Sequence, residues 1–96
     1  MGLKHFNLGT VVQTNGVYTK ACEDEKFFDY VQKCFGRFMN GDWGEMCDED
    51  KEMNDNALKN GDDRILASYE NNGMPKLYII TEWDRSYTTI LFPSEY

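Results

Sequence analysis

The feature that most constrains this chain is a stripe of apolar residues between Glu23 and Gly41. Apolar side chains recur there at intervals of three and four positions, which places them along one face of an α-helix. The stripe consists of Phe27, Phe28, Val31, Cys34, Phe35, Phe38 and Met39. Gly41 provides a left-handed stop. The pattern predicts a helix with a buried stripe, because leaving it in water would forgo roughly 1.5 to 3 kcal/mol per side chain.

A second helix is predicted over Asp48–Asn60, and Gly61 is typical of its end. Its apolar content is small, since only Met53, Ala57 and Leu58 could form a seam. We therefore expect this helix to contact the rest of the fold narrowly and to turn its other positions toward water.

Four segments have the composition of β-strands. The β-branched segment Leu8–Thr14 is followed by Asn15-Gly16, a pair typical of a tight turn. Three later segments, 64–69, 77–83 and 87–92, are separated by short turns, which predicts an antiparallel meander. The predicted fold class is α+β, with a four-stranded, mostly antiparallel sheet and two helices on one face, in the order β-α-α-β-β-β.

Charge is concentrated in one part of the chain. The 96 residues, enough for a single domain over residues 1–96, carry a net charge of -7. Nine acids and two bases lie between Asp42 and Asp63, so this segment holds a charge equal to that of the whole chain. An acidic chain does not suit direct binding to nucleic acid or to an anionic membrane. With no apolar run of about 20 residues and no secretory leader, we expect a cytoplasmic protein.

Three cysteines are present, and they contain no C-x-x-C pair. They are Cys22, Cys34 and Cys47. The single histidine, His5, is distant from them in sequence, which argues against a local zinc site. Cys34 falls on the apolar stripe and should be buried and reduced, whereas Cys47 should be more exposed.

The sequence contains no complete motif for calcium binding or for nucleophilic catalysis. An EF-hand loop that began at Asp48 would need glycine at its sixth position, where Met53 stands. The segment Asp84-Arg85-Ser86 is typical of a turn closed by a side-chain to backbone bond. No nucleophile elbow is present. We therefore expect a non-enzymatic protein with no metal and no cofactor.

Three parts of the chain resemble one family. They are the loop Gly41-Asp42-Trp43-Gly44, the acidic helix Asp48–Leu58 and the ending TEWDRSYTTILFPSEY at residues 81–96. From about Gly9 to Tyr96 the chain is similar to a group of short, largely uncharacterised bacterial proteins carried on plasmids, prophages and conjugative elements. The resemblance implies a small cytoplasmic accessory protein of a mobile element, and it assigns no catalytic residue.

The acidic segment is compatible with two functions of different classes. On a helix that rises about 1.5 Å per residue, its acids place a carboxylate about every 4 Å, near the axial phosphate spacing of about 3.4 Å along one DNA strand. A basic nucleic-acid-binding protein could therefore bind this face as it binds DNA. By analogy with small acidic phage and plasmid proteins, the partner would be a host defence nuclease such as a CRISPR effector. The predicted contact residues are Asp42, Glu45, Asp48, Glu49, Asp50, Glu52, Asp55, Asp62 and Asp63, with the aromatic residues Trp43 and Trp83. The alternative is a structural or housekeeping interaction module whose acidic face only confers solubility.

Overall fold

The computed structural model describes residues 7–61, 63–71 and 73–96. Its elements are, in chain order, β1 (Thr10–Gln13), α1 (Asn15–Glu23), α2 (Glu25–Met39), α3 (Asp48–Asn60), β2 (Ile65–Asn71), β3 (Met74–Thr81), β4 (Tyr87–Leu91) and a 3₁₀ turn (Pro93–Glu95). The strands form one sheet in the spatial order β1-β4-β3-β2. β2, β3 and β4 are antiparallel, while β1 joins β4 in parallel. The predicted α+β class and its four-stranded, mostly antiparallel sheet are confirmed.

The described residues form three α-helices rather than the predicted two, because Asn15-Gly16 begins α1 and is not a turn. Thr14 caps this helix: its hydroxyl oxygen accepts the N–H of Val17 at 3.4 Å, and its carbonyl accepts the N–H of Tyr18 at 2.9 Å. Val17 is fully buried. The order is therefore β-α-α-α-β-β-β.

The helices pack against different strands of the sheet. α1 and α2 pack on one another, with α1 also against β4 and α2 against β3, whereas α3 lies beside β2. Of the helices in the described ranges, none is both long and apolar enough to cross a membrane.

The apolar stripe of α2 is only partly buried. Asp24 caps the helix by accepting the N–H groups of Lys26 and Phe27, so Glu23 and Asp24 precede α2. Phe27, Tyr30, Val31, Cys34 and Phe38 are buried. The prediction that Phe28 is buried is wrong, and Met39 is exposed as well. Seven stripe residues span more of the helix circumference than one sheet face can cover, so the flank of the stripe reaches solvent.

The environment of the thiols agrees with the sequence. Cys34 is buried, Cys22 and Cys47 are exposed, and all three are free. Burial raises the pKa of the Cys34 thiol to about 11. The predicted burial of Cys34 and exposure of Cys47 are confirmed, and Cys34 serves as a small apolar core residue. His5 lies outside the described residues.

Candidate partner-binding face on the third helix

The helix α3 presents its acids at its N-terminal end. Cys47 occupies the N-cap position and makes no side-chain capping bond, while Asp48, Glu49 and Asp50 fill the first turn. Carboxylates near the positive end of a helix dipole stabilise the helix, so these acids compensate for the missing cap. At the other end Gly61 is left-handed, with φ +70°, and its N–H bonds the carbonyl of Ala57 at 2.8 Å.

The contact between α3 and the sheet differs from the predicted apolar seam. Met53 is exposed, whereas Asn54 and Ala57 are buried and Leu58 is half-buried. The Asn54 amide nitrogen donates to the carbonyl of Leu66 at 2.7 Å, and its oxygen accepts the Leu66 N–H at 3.2 Å. Asn54 thus pairs with the outer edge of β2 as a neighbouring strand would, and this polar contact fixes the position of α3.

The loop between α2 and α3 covers the rest of that edge. The carbonyl of Trp43 accepts the N–H of Ser68 at 3.2 Å, and the N–H of Glu45 bonds the Ser68 carbonyl at 2.7 Å. A side-chain oxygen of Glu45 then accepts the N–H of Glu70 at 3.0 Å. Gly44 lies between these bonds with φ +77°, and a Cβ there would stand 2.1 Å from the Ser68 carbonyl oxygen. Only glycine permits this approach.

Trp43 is a core residue, so its predicted role as a surface contact is wrong. Its side chain is 3% exposed and meets Phe38 edge to face, with ring centroids 5.4 Å apart. Its indole Nε1 donates to Asp55 at 2.9 Å. The loop folds onto β2 and carries the ring inward. Asp55 is correspondingly engaged with the fold.

Asp42 also has a structural role. Its carboxylate accepts from Arg37 Nε at 2.7 Å and Nη2 at 3.2 Å, and from the N–H of Gly44 at 3.0 Å. The hydrogen bond from Arg37 is the largest cause that holds the pKa of Asp42 below its usual value. The Tyr69 hydroxyl donates to the Asp42 carbonyl at 2.7 Å. Arg37 further lies 3.9 Å from Glu45, so two of the predicted contact acids are partly neutralised.

Four predicted acids of α3 are not engaged by a cation of the described residues. Asp48, Glu49, Asp50 and Glu52 are exposed, and no cation of the described residues forms an ion pair with them. Asp63 is exposed but accepts the N–H of Arg64 at 2.8 Å. Asp62 lies outside the described residues. The acidic face is defined hereafter as Asp48, Glu49, Asp50 and Glu52.

Arg85 anchors the opposite end of α3 and was not recognised from the sequence. Its Nη2 donates to the Ala57 carbonyl at 2.9 Å, while Nη1 donates to the carbonyls of Asp63 and Glu82. Arg85 is left-handed, with φ +61°, a conformation uncommon outside glycine. The bonds that hold it reach 22 and 28 positions along the chain, so no local pattern could indicate them. The expected turn bond is present as well, from the Ser86 N–H to Asp84 at 3.0 Å.

Trp83 is separate from the acidic face. Its side chain is 65% exposed in the turn between β3 and β4, which Arg85 ties to the C-terminal end of α3. The acids lie at the N-terminal end of a helix about 20 Å long. The structure therefore does not bring Trp83 into one site with the acids. Among the described residues no group of three or more histidine, cysteine or acidic side chains converges as a metal site would require.

Comparison of the chain with protein-family models, with curated proteins and with solved structures finds no match.

Proposed function

We propose that the protein acts without catalysis, by binding a basic nucleic-acid-binding protein through the acidic face. The observation that carries the proposal is the division among the acids of α3 and the loop before it. Asp42, Glu45 and Asp55 are bound by other groups of the fold, whereas the four acids of the face form no ion pair with the residues that the structure describes. Uncompensated carboxylates on one surface attract a basic groove and accelerate association.

The rigidity of α3 supports the same proposal. The C-terminal half of the helix is held by three contacts, through Asn54, through the Trp43–Asp55 bond and through the bond from Arg85 to the Ala57 carbonyl. Groups held on a rigid element lose little conformational freedom on binding, which favours affinity. In the proposed mechanism the face occupies a groove that would otherwise hold the phosphates of DNA. A defence nuclease of the host, such as a CRISPR effector, has a groove of this kind, and a mobile element gains from its inhibition.

The test uses two variants of equal charge. The first replaces Asp48, Glu49, Asp50 and Glu52 with their amides and leaves Asp55 intact, because Asp55 bonds Trp43. The control replaces the exposed acids Glu23, Glu25, Asp29 and Glu70 in the same way, so both variants lose four negative charges.

Each immobilised protein is exposed to bacterial lysate at low and high salt, and the captured protein is identified and then titrated with the purified variants. We expect the parent and the control to bind, the face variant to lose binding, and double-stranded DNA to compete with the parent. Binding should weaken as salt rises, because the attraction is between charges. Equal binding by both variants, with normal melting of each, would refute the proposal and favour a face that confers only solubility.

A further inference from the structure

The edge of the sheet formed by β1 is open. Thr10 and Thr14 donate their N–H groups to the carbonyls of Ser86 and Ile90, at 3.1 Å each, so the alternate residues Val11 and Gln13 direct their backbone groups away from β4. Among the described residues no strand lies beyond β1. Natural edge strands are usually protected from further pairing by short length, lysine, proline or a bulge. β1 is short, with the four residues TVVQ, but it has no lysine, proline or bulge.

Apolar side chains surround this open edge on both faces of the sheet. Val11, 45% exposed, shares a groove of about 240 Å³ with Gln32 and Phe35 of α2. Phe28 precedes Gln32 and Phe35 by four and seven positions, so it lies on the same face of α2, and it is exposed. On the other face Val12 is 42% exposed. A strand that is apolar on both faces resembles a central strand of a sheet rather than an edge.

We propose that this edge is the interface of a symmetric dimer, in which β1 pairs antiparallel with β1 of a second copy to form an eight-stranded sheet. A twofold axis at Val12 places Val11 of each copy opposite Gln13 of the other. The backbone N–H and carbonyl groups of Val11 and Gln13 point outward, so each Val11–Gln13 pair exchanges two hydrogen bonds. The two pairs related by the axis give four. The two Val12 side chains then meet at the axis as a non-hydrogen-bonded pair, the arrangement in which opposing side chains are closest.

Charge placement favours a second copy as the occupant. The residues around the edge carry no charge: Val11, Val12, Gln13, Phe28, Gln32 and Phe35. The acidic face lies beside β2, at the far edge of the sheet. In the eight-stranded sheet the two β2 strands are seven spacings apart, about 34 Å at about 4.8 Å each, whereas the screening length at physiological salt is about 8 Å. Two copies of an acidic protein can therefore meet at β1 without appreciable repulsion, and a charged peptide would find no opposite charge among these six residues.

The first experiment is sedimentation equilibrium of the full chain from micromolar to millimolar concentration. We expect a reversible dimer, and we expect Val12→Lys to raise its dissociation constant about tenfold or more, because it places two cations opposite one another at the axis. The control is Met53→Lys, which adds the same charge at an exposed apolar residue beside the other edge and should leave the dissociation constant unchanged. A parent chain that remains monomeric throughout, or a Val12→Lys variant that dimerises as the parent does, would overturn the proposal.

A second experiment tests the register. In a background in which the exposed Cys22 and Cys47 are changed to serine, Val12→Cys should form a covalent dimer under mild oxidation, and Val11→Cys, opposite Gln13, should do so much less. Hydrogen exchange at the Val11 and Gln13 amides should slow as the dimer forms. Equal cross-linking at the two positions would refute this register. Slow exchange in a chain that sediments as a monomer would show that the edge is covered within one copy, and would overturn the proposal as well.

Discussion

The two edges of the sheet differ in how their backbone groups are satisfied. At β2 the N–H and carbonyl groups of Leu66 and Ser68 and the N–H of Glu70 are engaged, by the Asn54 amide, by the loop backbone and by the Glu45 carboxylate in turn. At β1 the outward groups of Val11 and Gln13 have no partner among the described residues. A single chain thus closes one edge with polar groups and leaves the other surrounded by apolar side chains. The closed edge accounts for the position of α3, and the open edge is available for assembly.

Among substitutions at the closed edge, the largest loss of stability is expected at Gly44. Gly44→Ala would place a methyl group 2.1 Å from the Ser68 carbonyl oxygen at φ +77°, so the loop must leave β2. We expect the free energy of unfolding to fall by about 3 kcal/mol or more.

The control is Gly61→Ala, at φ +70° with no atom within 4 Å, where only the backbone conformation is penalised, by about 1 kcal/mol. Chemical denaturation of both variants measures the difference. Equal losses would show that the loop does not depend on this close approach.

A smaller effect is expected at Asn54. Asn54→Leu keeps a similar volume but leaves the N–H and carbonyl of Leu66 without their partner, and we expect a loss of about 2 kcal/mol in the free energy of unfolding. Asn56→Leu makes the same change at an exposed position of α3 and should alter stability by about 0.5 kcal/mol or less. If the two variants unfold alike, the pairing of Asn54 with β2 contributes nothing to the closed edge.

The smallest effect is a pH dependence at the closed edge. Because Arg37 lowers the pKa of Asp42 in the folded protein, the ionised carboxylate stabilises the fold above the ordinary pKa of 3.8. This stabilisation is lost as pH falls through the lower, folded value. Asp42→Asn should therefore be less stable than the parent at neutral pH, with the difference shrinking in acid. The pair is half-exposed, so its contribution is smaller than that of Asn54.

The measurement is the free energy of unfolding of the parent and of Asp42→Asn, determined from neutral to strongly acid pH. The control is Asp48→Asn, which removes an acid that forms no ion pair with the described residues. A constant difference between Asp42→Asn and the parent down to strongly acid pH would contradict the assignment to the Asp42 carboxylate.

The sequence predicted the α2 helix and the meander of β2, β3 and β4. In these elements the apolar residues recur at the regular spacing of a helix or a strand. The start of α1 was misread because Asn15-Gly16 favours a turn, although Thr14 as a cap and Val17 and Ala21 at helical spacing were the available signal. The parallel pairing of β1 depends on β4, which lies more than 70 positions later. No local pattern encodes that choice.

The sequence predicted which acidic residues belong to the candidate site, but not which of them are bound by other residues of the fold. The sequence identified the acids of α3 and of the loop before it, but it could not separate the four that form the acidic face from Asp42 and Asp55, whose partners Arg37 and Trp43 are defined by the tertiary fold. The same limit applied to Asn54, a polar residue that is buried because the edge of β2 needs its amide. Whether the four acids bind a partner remains a prediction for the charge-matched variants.

The parallel pairing of β1 with β4 bears on the order of events during synthesis. β2, β3 and β4 can pair as soon as they leave the ribosome, since each contacts its neighbour in sequence. β1 is made first, yet its pairing requires β4, and the Thr14 hydroxyl that begins α1 donates to Glu95 at 2.6 Å, 81 positions later. β1 must therefore remain unpaired until β4 has emerged. Throughout that interval the strand TVVQ is unpaired along both edges, and unpaired strand edges of this kind make a nascent chain prone to aggregate.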